Sequence, residues 1–135
     1  MSGSSRTLGL MALKEKARIA GTLADLRTVV AQKAEAERMV ERLREALAKQ
    51  GQVQGVRLAT EIAAERNMAV QLLSETERQQ GRQTALAARM AEEQGRLARQ
   101  EHRHQTLTDK ATVARKSEAE ERLSLRDAAM PARRR

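Results

Sequence analysis

A chain of 135 residues with no Phe, Tyr, Trp or Cys and one Pro lacks the means for a compact aromatic core, a disulfide framework or thiolate chemistry. Charged residues make up 33% and hydrophobic ones 40%, with Ala and Leu prominent, which is the balance of long helices and coiled coils. The net charge of +8 points to an acidic partner, whether nucleic acid, anionic lipid or protein, and no apolar run reaches the roughly 18 residues a membrane span needs.

Met1 to Thr7 reads as a frayed start in which Ser5 or Thr7 caps a first helix, expected from about residue 8 to about 49. Lys14, Glu15 and Lys16 interrupt the first apolar stretch too early for a signal peptide, so a cytoplasmic location is expected. From Ile19 the helix carries a single apolar stripe: Ile19, Thr22, Leu26, Val29, Lys33, Ala36, Val40, Leu43 and Leu47, flanked by Leu23 and Val30. The steps alternate three and four residues, so these side chains share one face. Arg27, Glu35, Glu37, Arg38, Glu41, Arg42, Arg44 and Glu45 lie between them and favour water. Such a stripe must be buried against another helix, and a spacing near 3.5 favours a left-handed coiled coil. Lys33, polar at a core position, either fixes register or snorkels its amine to water.

Gln50-Gly51-Gln52-Val53-Gln54-Gly55 is the best break in the chain, so a turn is expected at about 50–55. Ser74-Glu75-Thr76-Glu77, followed by Gly81, is an alternative turn at 74–81. The second helix is expected from about 56 to 129, ending before Pro131, with a basic tail over 131–135. Its stripe reads Leu58, Ile62, Glu65, Ala69, Leu72, Thr76, Gln79, Gln83, Leu86, Met90, Glu93, Leu97, Gln100, His104, Leu107, Ala111, Ala114, Glu118, Glu121 and Leu125. The fold class predicted is all-α: one domain, a long antiparallel two-helix coiled-coil hairpin with a longer C-terminal helix. A turn at 50–55 sets Leu43 near Ile62, Ala36 near Ala69 and Leu26 near Gln79. The last 30 or so residues, poor in Val, Ile, Leu and Met, are then expected to have no intramolecular partner.

The residues point away from an enzyme. His102 and His104 face different sides of a helix, and no metal or cofactor is expected. Glu61, Glu65 and Glu77 read as solvated charges on a surface without a cleft. The glycines near Gly3, Gly9, Gly51 and Gly55 form no phosphate-cradling pattern. Met39, Met68 and Met90 fit packing faces.

The stretch Leu10-Met11-Ala12-Leu13-Lys14-Glu15-Lys16-Ala17 opens a helix that runs through Ala20 to Leu26 and on to Arg42. Ala114-Arg115-Lys116-Ser117-Glu118-Ala119-Glu120-Glu121-Arg122 leads into Arg126-Asp127-Ala128-Ala129-Met130. This layout resembles the FliJ family of bacterial flagellar export proteins and its type III secretion relatives, over most of the chain and through helix-wide patterns. Aromatics usual in that family's second helix are missing here. The resemblance implies a hairpin similar to the central stalk of rotary ATPases. It also implies partners: a hexameric export ATPase, the export gate at the inner membrane and export chaperones. A gate-contact cluster maps onto Leu58, Ile62, Glu65 and Ala69, although Glu65 departs from its apolar pattern. Lys14, Lys16 and Arg18 on one arm, with Arg122, Arg126 and Arg133 on the other, would suit an acidic pore lining.

The expected function is therefore a non-enzymatic adaptor of protein export, peripheral to the membrane machinery. The alternatives are a basic nucleic-acid-associated coiled coil and a homodimeric scaffold. Missing stacking aromatics and interleaved Glu residues oppose the first, and no specific nucleic acid is expected as a partner.

Overall fold

A computed structural model describes residues 3–52 and 55–130. They form two helices, α1 (Ser4–Gly51, 48 residues) and α2 (Ala59–Ala129, 71 residues), and no strand among the described residues. The fold is all-α, the two helices pack against each other in antiparallel sense, and the second is the longer. Strong helix formers dominate both, and no Pro interrupts either. The helix α2 runs through 74–81 without a break and stops at Ala129, just ahead of Pro131. The basic tail expected over 131–135 lies outside the described residues.

The chain forms two compact units, each built from a part of both helices. Unit 1 is Met1–Leu23 with Gly95–Arg135, and unit 2 is Ala24–Gln94.

In unit 2, Val29, Ala36 and Leu86 form a buried cluster with Met90 packed against it, and Val29 is 0% exposed. Lys33 lies half-buried on the same stripe and turns its amine outward to Glu37, 3.7 Å away. That is the snorkelling arrangement. The stripe residues Leu26 to Leu47 on α1, and Glu65 to Glu93 on α2, are buried or half-buried throughout.

The register within unit 2 differs from the expected one. Ala36 joins Leu86 and Val29 rather than sitting against Ala69, and Gln50 donates its Nε2 to the Glu65 carbonyl at 3.0 Å. The reason lies in the connection. Gly51 stays helical, so only Gly55, with φ 129°, acts as the glycine break. Residues 56–58 carry no regular structure, and α2 begins at Ala59. The Glu61 carboxylate accepts the Leu58 N–H at 3.3 Å, which fixes that start as half of a capping box. The stripe of α2 therefore first meets α1 at Glu65 and Ala69, not at Leu58.

In unit 1 the pairing is mostly polar. Thr22 donates its hydroxyl to Gln100 Oε1 at 2.7 Å, with both residues buried. Glu15, 4% exposed, receives Arg103 Nε and Arg18 Nη1, each at 3.2 Å. Ala12 and Ala111 are buried beside them. Glu118 accepts the Ser5 N–H at 3.1 Å and the Ser5 hydroxyl at 2.6 Å. A carboxylate from α2 thus caps α1, satisfying an orphan backbone donor where the helix dipole favours negative charge. That is why α1 starts at Ser4 instead of near residue 8, and why Ser5 is the capped residue rather than the cap. The expectation that the last 30 or so residues lack a partner is corrected: α2 stays paired through Glu118. Counting only Val, Ile, Leu and Met missed a seam made of Ala, Thr, Gln and Glu.

Candidate functional site

The two units divide the charge unequally. Unit 1 holds fifteen Lys and Arg against seven Asp and Glu, whereas unit 2 holds eleven of each. The whole surplus of +8 therefore belongs to unit 1. Dividing the chain into consecutive thirds hides this, because unit 1 joins both ends of the sequence.

Of the basic residues singled out in the sequence, Lys14, Lys16, Arg18, Arg122 and Arg126 all fall in unit 1 and are exposed. Arg18 spends part of its charge on Glu15. Arg122 sets its Nε 3.5 Å from the Glu118 carbonyl. Arg133 lies outside the described residues. Glu118 itself ionises below its ordinary range, because the Ser5 hydroxyl and then the Ser5 N–H hold its charged form, with Arg122 adding to the effect.

Unit 1 also exposes large apolar side chains. Leu10 and Leu13 are 58% and 61% exposed on α1, beside Arg6 and Lys16. They line a groove whose other wall is α2, with Arg115 and Arg122. Beyond Glu118, Leu123 and Leu125 of α2 are exposed.

The cluster Leu58, Ile62, Glu65 and Ala69 lies in unit 2 and does not present one face. Leu58 is 68% exposed in the connection, and Ile62 is 41% exposed on the first turn of α2. Glu65 is half-buried and forms an ion pair with Arg57, while Ala69 faces the α1 stripe near Leu47 and Gln50. Leu58 and Ile62 are available to a partner, and Glu65 and Ala69 belong to the helix pairing. Glu61, read as a solvated charge, is exposed and also caps α2, whereas Glu65 is half-buried and holds Arg57.

Glu35 and Glu75 also ionise below their ordinary range. The first is held by Arg38, the second by a hydrogen bond from Gln79 and then by Arg78. These are local contacts along one helix. Among the described residues no group of three or more His, Asp or Glu is placed to hold a metal ion, and no helix is long and apolar enough to cross a membrane. The chain matches no family model, no curated protein and no solved structure.

Proposed function

We propose that this chain is a non-enzymatic coiled-coil adaptor of a flagellar or type III protein export apparatus. In this reading it engages the export ATPase as a central stalk would and assists docking to the export gate and chaperones. The observation that carries it is the division of labour between the units. A neutral unit closes on an apolar cluster, and a basic one holds the start of α1, the end of α2 and the entire charge surplus. The likeness of the helix starts and ends to the FliJ family supplies the machine. Basic residues on both helices would meet an acidic ring lining. Leu58 and Ile62 would supply an apolar contact elsewhere, at the gate.

The test is co-purification with the export ATPase subunit at low salt. Retention, with a change in ATPase oligomerisation, supports the adaptor. Neither binding nor any effect on oligomerisation ends it. Nucleic-acid binding is the competing reading, favoured by the same concentration of charge. A flat dependence of duplex DNA binding on salt would leave no phosphate contacts to account for.

A further inference from the structure

We infer that the groove of unit 1 is a docking site for a third helix, one that is amphipathic and acidic. The walls are Arg6, Leu10, Leu13 and Lys16 on α1, with Arg115 and Arg122 on α2. Between them the floor is small: Ala12 and Ala111 are buried, and Gly9 carries no side chain, with the mobile end of Arg115 lying 3.8 Å from where its Cβ would be.

Three features select the occupant. Leu10 and Leu13 are three residues apart on one face of α1 and mostly exposed, so they gain from apolar cover along a helix axis. The four cations stand around that apolar strip. Among the described residues no carboxylate forms an ion pair with Arg6, Lys16 or Arg115. The groove's carboxylate, Glu118, is already engaged by Ser5. An apolar strip rimmed by cations is complementary to a helix with leucines along one edge and glutamates beside them. A phosphate backbone would satisfy the cations but leave both leucines in water. The groove of a second copy would bring like charges together. The site is independent of which machine the chain serves, and its assay uses no export component.

The probe is a synthetic helical peptide of about three heptads with Leu at a and d and Glu at e and g. Binding to the full chain is followed by fluorescence anisotropy, beside the Glu→Lys version of the peptide and a short DNA duplex. The acidic peptide is expected to bind at least about tenfold tighter than the lysine peptide or the duplex. Arg6→Glu with Arg115→Glu should weaken it about tenfold or more and flatten its salt dependence. Leu10→Gln with Leu13→Gln should weaken it similarly while leaving the salt dependence intact. Lys49→Glu, in the neutral unit, should change little. All five positions are exposed, and far-UV circular dichroism verifies that each variant keeps its helices. Three results overturn the inference: unchanged binding in the leucine variant, tighter binding of the duplex, or a dimer of the free chain that the leucine variant abolishes. The last assigns the groove to a second copy.

Discussion

Glu15 shows how a buried charge can serve a coiled coil. It lies at a core position, yet both its guanidinium partners are more than half exposed, at 53% and 56%. Removing the carboxylate leaves the arginines free to return to water, so the penalty is set by lost hydrogen bonds and a small cavity. Glu15→Ala should cost about 1–3 kcal/mol in urea unfolding. Glu15→Leu should be neutral or stabilising, because an apolar side chain of similar size often replaces a buried ion pair without loss. Thr22 and Gln100 behave differently. Thr22→Val leaves the buried Gln100 oxygen without its donor and should cost about 1–2 kcal/mol. Adding Gln100→Leu should restore most of that loss, which a double-mutant cycle reads directly. Glu118 links the fold to pH. Its folded-state pKa is depressed below the ordinary 4.5, so its contribution is present above that value and fades as pH falls through the lowered one. Melting temperatures measured downward from neutral pH should drop below about pH 4.5. Glu118→Gln should start lower at neutral pH and fall less steeply.

At the scale of the helices, both stripes were legible and their alignment was not. Every stripe residue predicted on α1 from Ile19 to Leu47 is buried or half-buried, and so is every one on α2 from Glu65 to Glu118. Heptad spacing marks a face, because a side chain's angle around the axis follows from its position alone. It does not say which residue opposes which. That depended on Gly51 staying helical, on the unstructured 56–58 segment and on the Glu61 cap at Leu58. The stripe also extends back through Glu15, Ala12, Leu8 and Ser5 at the same spacing, which a search for apolar residues passes over. The register has a direct chemical readout. A Thr22→Cys, Gln100→Cys pair should cross-link on mild oxidation, and a Leu26→Cys, Gln79→Cys pair should not. Val29 measures the unit 2 cluster: Val29→Ala should cost about 2 kcal/mol through lost burial and a residual cavity.

At the scale of the whole molecule, a neutral unit with an aliphatic cluster and a basic unit with a hydrogen-bonded seam share two continuous helices. The total charge could be read from the sequence. Its confinement to unit 1 could not, because Ser5 and Glu118, far apart in sequence, become neighbours only after the helices pair. The candidate site was legible in the same partial way. Lys14, Lys16, Arg18, Arg122 and Arg126 could be picked out along the sequence and fall in one unit, and the apolar pair Leu10 and Leu13 gained meaning only from the groove beside them. Hydrogen exchange on the 135-residue chain, at a concentration where light scattering finds a monomer, tests most directly whether this hydrogen-bonded seam holds α2 to α1. The pairing predicts that amides of residues 100–118 are protected comparably to those of residues 8–22, with protection falling away after Glu118. Rapid, unprotected exchange across 100–118 alongside a protected 24–47 would contradict it.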